Sequence, residues 1–281
     1  MKRSMVRLGL SSAAGIFLVG LSIAAGALAS ACGPAETTSG KRVALQTRIV
    51  ADDGIDAPFV NAYGWSIRLS LAAVSVGPLY YFNGAPIFSA SAAPPPPRDR
   101  FARFLGLGLA HAHPGHYQAG DAMGQVLTSS SVDLAQGPAD LPPGDGVTGL
   151  YRSGRFSYEP APTGDAKDTL AGHVVVLEGE AQKDTLKRIF RVEADAADVL
   201  DAYGEPRLEG CAFEGEPDVQ NDGTITIHVA PSVWLDQAEF DAVPESTDGS
   251  PVVVPRDSLT FRAITRGFKK GSAATFEYST P

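Results

Sequence analysis

Three of the chain's five histidines, His111, His113 and His116, fall within one short run. Imidazole is the commonest metal ligand in proteins. A residue before proline is pushed towards extended backbone, so His111 and His113 are expected on one face of a strand-like segment. Pro114 and Gly115 suit the centre of a type II turn, which would bring His116 close to His113. The spacing therefore predicts that three imidazole rings converge on one ion.

Asp121 follows this run and carries a carboxylate that could complete the site. It could be a fourth ligand, or it could orient one imidazole through a hydrogen bond. Neutral imidazoles suit Zn or Cu, and the identity of the metal stays open. The alternative interpretation is that the three histidines are solvated or hydrogen-bonded loop residues.

Three further residues could bind a metal ion or take part in chemistry, but they are weaker candidates. Cys211 lies in a strand-like stretch and is either a small buried hydrophobe or a soft metal ligand. His173 opens an apolar strand, and His228 shares the polar face of its strand with Thr224 and Thr226. We expect both histidines to be ordinary strand residues rather than ligands.

Standard catalytic signatures are missing from the sequence. It contains no Gly-x-Ser-x-Gly elbow, no His-Glu-x-x-His, no phosphate-binding loop and no dinucleotide fingerprint. The pattern favours non-catalytic capture or delivery of Zn or Cu over an enzyme. The alternative is a lipid-anchored surface or structural module that binds a protein or glycan, with no metal role. A metal-dependent hydrolase ranks third, because no general base is identifiable.

The start of the chain indicates export. Lys2, Arg3 and Arg7 precede an apolar run over residues 13–28, and small residues then lead to Cys32. This arrangement predicts a signal peptide over residues 1–31 rather than a membrane span.

Residues 29–32 resemble a bacterial lipobox, in which the cysteine is lipidated and becomes the mature N-terminus. We therefore predict a lipid anchor on Cys32; the alternative is simple cleavage, with Cys32 an incidental thiol. Gly33 follows, and the absence of aspartate there favours the outer membrane or cell surface if the source is Gram-negative.

The charge balance excludes some partners. The net charge of −9 becomes −12 when the three cations of the signal peptide are removed. An acidic surface argues against nucleic acid and against a polybasic attachment to anionic lipid. No protein partner can be read from the composition.

The mature chain is predicted to be a short tether, residues 32–42, followed by an all-β domain, residues 43–281. Alternating apolar runs between Gly, Pro and Asp turns are typical of an antiparallel β-sandwich of the Ig-like or jelly-roll type. A long irregular insertion is expected over about 84–146, because strand rhythm fails there and proline runs appear. Predicted strands cover residues 43–50, 65–71, 74–82, 149–158, 173–181, 186–192, 224–229, 259–265 and 274–278, and brief helical turns are expected at 100–105, 196–202 and 231–240.

Two longer stretches carry a family resemblance. Residues 61–65 and 223–240, together with 265–268 and 275–278, resemble uncharacterised lipoproteins common in myxobacteria. More distantly, the layout is similar to the methanobactin-associated periplasmic copper-binding (MbnP-like) proteins, which are β-sandwiches. That resemblance implies a periplasmic β-sandwich linked to copper; it rests on strand style and carries no shared ligand motif.

Overall fold

The computed structural model describes residues 40–55, 57–86 and 119–280. Sixteen strands and three α-helices are present in these ranges, together with 3-10 turns at Leu134–Gln136, Ala196–Asp198 and Gly271–Ala273. The helices are α1 (Lys167–Leu170), α2 (Pro231–Leu235) and α3 (Leu259–Phe268). The strands are β1 (Arg42–Ala51), β2 (Phe59–Val60), β3 (Ser66–Val76), β4 (Leu79–Phe82), β5 (Ala122–Val126), β6 (Ser130–Asp133), β7 (Ala139–Val147), β8 (Gly149–Leu150), β9 (Ser153–Ser157), β10 (Val175–Lys183), β11 (Leu186–Ala194), β12 (Arg207–Ala212), β13 (Asp218–Val219), β14 (Gly223–Val229), β15 (Val252–Val253) and β16 (Ala274–Ser279).

Two large sheets form the sandwich, which confirms the predicted all-β class. One sheet has eight strands in the order β12-β9-β4-β5-β7-β1-β14-β16. The other runs β15-β11-β10-β3-β2, and β6 also pairs with β3. Most neighbours are antiparallel, but β1 pairs with β14, and β11 with β15, in parallel. The sheets are therefore mixed rather than wholly antiparallel.

Strict alternation along the strands builds the core between the sheets. In β1, Val43, Leu45 and Ile49 are buried while Arg42 and Arg48 are exposed. Successive side chains of a strand point to opposite faces, so this pattern places one face of β1 inside. One hydrophobic cluster contains the inward residues of both sheets. Each fully buried aliphatic side chain contributes about 1.5–3 kcal/mol relative to an exposed one.

Four aromatic rings fill the inner face of the eight-stranded sheet. Tyr81, Tyr151, Phe213 and Phe276 contact one another with ring centroids 5.2–6.2 Å apart. Gly154 makes room for them, because a Cβ at that position would lie 2.4 Å from the Phe276 ring. Phe213 forms a bridge with Phe276, so the ends of β12 and β16 are brought together and the sheet approaches a closed barrel.

The predicted irregular insertion over 84–146 is shorter than the sequence indicated. Its C-terminal part forms β5, β6 and β7, and β7 lies between β5 and β1. Pro142 and Pro143 occur inside β7, opposite the register shift between Leu45 and Thr47 of β1. Proline is tolerated in a sheet where the hydrogen-bond ladder is interrupted, which is why this proline pair did not break the strand.

The strand predicted at residues 259–265 is wrong, because this segment is the helix α3. Ser258 is its N-cap, and the Ser258 hydroxyl accepts a hydrogen bond from the Phe261 amide at 3.0 Å. Phe261, Ile264 and Phe268 are all buried, at the three- and four-residue spacing of a helix face. Short runs rich in β-branched and aromatic residues are ambiguous between strand and helix, and packing against α2 decides here.

A buried asparagine connects this helical end to the sheet. The Asn61 side-chain amide donates to the Leu235 carbonyl at 3.1 Å and the Ala238 carbonyl at 2.7 Å. Its side-chain oxygen accepts from the amides of Tyr63 and Trp65, each at 3.0 Å. The Asn61 side chain thus hydrogen-bonds to the backbone of the turn before β3 and to the backbone at the end of α2, and so joins the two. The two longest stretches that carry the family resemblance, 61–65 and 223–240, therefore lie against each other.

Gly267 is the point of closest approach between α3 and α2. A Cβ at this position would lie 2.3 Å from the Trp234 carbonyl oxygen. Alanine normally stabilises a helix interior relative to glycine by about 1 kcal/mol. We expect Gly267→Ala to destabilise the protein instead, by about 1–3 kcal/mol, because the backbone of α2 must move. Urea denaturation measures the difference.

Arg266→Ala, on the exposed side of the same helix, is the matched control and should change the free energy of unfolding by less than about 0.5 kcal/mol. A Gly267→Ala protein as stable as the wild type, or more stable, would contradict the packing of α3 on α2.

Candidate functional site

His111, His113 and His116 lie outside the described residues, but the structure places the two ends of the segment that carries them. The chain leaves the eight-stranded sheet after β4 and re-enters it at β5. These strands are antiparallel neighbours, with Leu79 opposite Val126 and Phe82 opposite Ala122. Exit and return therefore lie side by side at one end of the sandwich.

Hydrogen bonds join the two ends of this segment, Asn83 and Gly84 on one side and Ala119 and Asp121 on the other, which we call the base of the histidine segment. The Asn83 amide donates to the Asp121 carbonyl at 3.2 Å, and the Gly84 amide donates to the Ala119 carbonyl at 2.8 Å. The Asp121 amide donates to the Asn83 side-chain oxygen at 2.8 Å, and the Asn83 side-chain amide donates to an Asp121 carboxylate oxygen at 3.2 Å. Backbone and side chains thus continue the pairing of β4 and β5 beyond the strands.

Gly120 is required for this return. Its φ of +74° lies in the left-handed region, which favours glycine. A Cβ there would also lie 2.2 Å from the Asn83 side-chain oxygen. The glycine therefore allows Asn83 to reach Asp121.

Asp121 is the one predicted metal-site residue that the structure describes. It is exposed, and its carboxylate accepts the hydrogen bond from Asn83. This places an acidic group at the point where the histidine-bearing segment rejoins the sheet. Its role as a ligand, or as a group that orients an imidazole, stays a prediction.

The N-terminal segment enters the domain at the same end. The Thr148 amide donates to the Lys41 carbonyl at 2.8 Å, and Arg42 lies opposite Val147 in the β1–β7 ladder. Since β7 separates β1 from β5, the entry point is two strand spacings, about 10 Å, from the return of the histidine segment. A cleft of about 290 Å³ lies between them, and its lining includes Arg42, Gln125 and Asp145.

Cys211 behaves as a core residue rather than a ligand or nucleophile. It is fully buried within the hydrophobic cluster. Burial raises the pKa of its thiol to about 12, so the sulfur stays protonated. Only the thiolate binds metals or attacks substrates. The interpretation of Cys211 as a small buried hydrophobe is confirmed.

His173 belongs to a charge network beside the six-stranded sheet. Its Nδ1 is 2.6 Å from the Asp195 carboxylate, and its Nε2 is 3.5 Å from that of Glu193. Arg256 also contacts Asp195, at 2.9 Å. These contacts connect β11 and the turn after it to the segment that precedes α3.

His228 lies on the outer face of the eight-stranded sheet, as its parity with Thr224 and Thr226 predicted. Its Nδ1 is 2.8 Å from an Asp52 carboxylate oxygen, and its Nε2 is 3.1 Å from a Glu277 carboxylate oxygen. Asp52 follows β1, and Glu277 lies on β16. The imidazole therefore bridges the two strands on either side of its own.

The described residues place neither His173 nor His228 in a group that could hold a metal ion. Across residues 40–55, 57–86 and 119–280, no group of three or more His, Cys, Asp or Glu side chains is arranged to hold a metal ion. Within the same ranges, no helix is long and apolar enough to cross a membrane.

Sequence reasoning did not find Asn83 or Asn61, although their side chains close the base of the segment and connect the helical end. In a sequence, an asparagine beside the end of a strand predicts only a turn. Its partners come from elements far away along the chain, so no local pattern reveals them.

Comparison with known proteins gives one structural likeness. No protein-family model and no curated protein matches the chain. Among solved structures it is similar to MbnP from Methylosinus trichosporium, at 13% sequence identity and a TM-score of 0.41. The alignment covers 85% of this chain and 99% of that chain. A likeness at this level assigns no family, so the resemblance to myxobacterial lipoproteins stays a prediction.

The two carboxylates make the stability contributed by His228 depend on pH. Partial burial disfavours the imidazolium, but the hydrogen bonds with Asp52 and Glu277 outweigh it, and the pKa of His228 is raised. A raised pKa in the folded state gives stability that is fully present below the ordinary histidine value near ~6.5 and is lost as pH rises through the raised value. We expect His228→Gln to lower the free energy of unfolding at pH 5.5, by up to about 1 kcal/mol, and to have a smaller effect at pH 9.

Asp52→Asn combined with Glu277→Gln should remove the same pH dependence while His228 is retained. Chemical denaturation at both pH values checks this. If His228→Gln lowers the free energy of unfolding equally at pH 5.5 and pH 9, the imidazole is not charged in this bridge.

Proposed function

We propose that this protein is a lipid-anchored protein of the cell envelope that binds Zn or Cu through His111, His113, His116 and Asp121. Capture or delivery of the ion, without catalysis, is the proposed role. The observation that carries the proposal is the closed base of the histidine segment, where Asn83, just after β4, pairs with Asp121, just before the neighbouring strand β5. Ligands on a segment that begins and ends on a sheet lose less conformational entropy on binding than ligands on a free tail.

The position of the base supports a role at the membrane surface. Residues 33–40 are the eight residues between Cys32 and the domain. Fully extended, eight residues reach at most about 29 Å. Because the chain enters the domain beside the base of the histidine segment, a lipid on Cys32 would keep the proposed metal site near the membrane. The outer membrane or cell surface is the proposed location.

A second candidate function is a lipid-anchored module that binds a protein or glycan and has no metal role. A groove of about 330 Å³ favours it, lined by Tyr80, Arg155 and Arg207 together with Pro78 and Pro206. An aromatic face beside charged hydrogen-bond donors is suited to sugar rings or peptide side chains. The metal content of protein purified without a histidine tag separates the two candidates.

Lipidation is tested directly on Cys32. Cells that express the wild-type protein with an alkyne analogue of palmitate should label it, whereas Cys32→Ser should stay unlabelled and partition with soluble proteins. Cys211→Ser is the matched control and should label like the wild type, because Cys211 is buried in the core. Equal labelling of Cys32→Ser would refute the anchor.

Metal binding is tested by titrating Zn(II) and Cu(II) into the signal-cleaved chain that carries Cys32→Ser. We expect sub-micromolar affinity that falls as pH drops through about 6.5, because imidazoles bind metals in their neutral form. Replacing His113 and His116 together by alanine should weaken binding more than about 100-fold, beyond the loss usual for a group outside the ligand set. His173→Ala and His228→Ala should leave the affinity unchanged.

Two further variants separate a ligand from a structural role at the base. Asp121→Asn keeps an acceptor for Asn83 but removes the charge, and Asn83→Ala removes the pairing but leaves the carboxylate. A larger loss for Asp121→Asn indicates that the carboxylate acts on the metal. Sub-micromolar affinity that survives the double histidine change would place the site elsewhere, and no binding at all would favour the module interpretation.

A further inference from the structure

The exposed face of α3 carries a stripe of cations. Arg262, Arg266 and Lys269 are exposed, and Lys270 is partly exposed beside them. Arg262 and Arg266 are four residues apart and lie on one side of the helix, and Lys269 and Lys270 follow directly after its last turn. The helix itself, Leu259–Phe268, contains no acidic residue. We call Leu259, Arg262, Arg266, Lys269 and Lys270 the α3 stripe.

Among the described residues, these cations have no carboxylate partner. The Arg262 guanidinium donates to the Asp257 backbone carbonyl at 2.6 Å, and the Arg266 Nε donates to the Arg262 carbonyl at 3.2 Å. Arg256, close by in the chain, contacts both Asp195 and Asp198. Among the ion pairs of the described residues, none includes a cation of the α3 stripe.

An apolar side chain stands in line with the cations. Leu259, at the start of the helix, is 77% exposed, the most exposed large hydrophobic residue among those described. It lies three residues before Arg262 and so on the same side of the helix. The apolar face of α3 is buried in the core, so basic residues beside this one exposed leucine are what the helix presents to an anionic membrane.

The stripe lies at the opposite end of the domain from the chain's entry. β1 runs parallel to β14, α2 follows the far end of β14, and α3 packs against α2. The ten residues of β1 separate the two ends by about 33 Å. The stripe is therefore a contact surface separate from the end at which the chain enters the domain.

We propose that the α3 stripe docks the domain on anionic phospholipid headgroups, with Leu259 entering the interface. The proposal goes beyond metal binding, and it depends on the lipid anchor only for the membrane to which the stripe binds. The net charge of −12 of the signal-cleaved chain argues against a basic surface over the whole domain, but the α3 stripe needs only a local one. Charges farther than about 8–10 Å from the headgroups are screened at physiological salt, so the local cations decide the interaction.

The test uses the signal-cleaved full chain with Cys32→Ser, without added metal, so that neither the anchor nor the metal site contributes. Sucrose-loaded vesicles of phosphatidylcholine with 30 mol% phosphatidylglycerol should sediment the protein at low salt, while pure phosphatidylcholine vesicles should not. Arg262→Gln/Arg266→Gln/Lys269→Gln should lower the partition coefficient at least ~10-fold, since each cation near an anionic surface contributes appreciably. Leu259→Ser alone should lower it several-fold, and 0.5 M salt should abolish binding.

Arg68→Gln/Lys167→Gln/Lys187→Gln is the matched control, because it removes three exposed cations from other parts of the domain. It should bind anionic vesicles like the parent chain, and thermal unfolding should confirm that both triple variants fold. A parent chain that ignores anionic vesicles, or two triple variants that lose binding equally, would overturn the proposal. Unchanged metal affinity of the α3 triple variant separates this outcome from a failure of the metal site.

Discussion

The aromatic packing inside the eight-stranded sheet is the constraint on which the rest of the structure depends. Tyr81 comes from β4, Phe276 from β16, and Tyr151 and Phe213 from the loops that precede β9 and follow β12. Since these elements include both terminal strands of the sheet, the rings hold its edges together. Aromatic pairs contribute about 0.5–1.5 kcal/mol beyond the area that they bury. The Tyr151 hydroxyl also donates to the Met123 carbonyl at 2.7 Å, which connects this packing to β5.

The aromatic packing also determines where the base of the histidine segment lies. Tyr81 lies two residues before Asn83, and Met123 lies two residues after Asp121. Both ends of the segment therefore leave strands whose neighbouring residues are held in the core. The base does not need a large buried surface of its own, because the sheet has already brought Asn83 and Asp121 within hydrogen-bonding distance.

The opposite end of the domain is built differently. Asn61, Trp234 and Gly267 join the turn before β3 to α2 and α3 through side-chain hydrogen bonds and one close backbone approach. This arrangement buries the apolar face of α3 and turns its basic face outwards. The domain thus has two chemically distinct ends, one where the tether and the histidine segment emerge and one with a cationic helix.

The alternation of apolar and polar residues was sufficient to predict most of the strands. The alternation in β1, β3 and β14 is visible in the sequence, because each strand has one face inside and one outside. It failed for α3, whose Thr, Phe and Ile residues favour strands locally but form a helix that Ser258 caps and that packs against α2. It failed again at β7, where two prolines suggested a loop and a register shift in β1 accommodates them.

By itself the sequence determined the all-β class and the polar face of His228, because both depend on local alternation, whereas for Cys211 it left burial and metal ligation open. It also supplied the candidate ligands and the export signal as predictions. Only the tertiary structure decided that the tether and the histidine segment emerge at one end, that Asn83 meets Asp121, and that the basic side of α3 faces outwards. These relations join residues far apart in the chain, and the pairing of β1 with β7 and β14 determines them rather than any local preference.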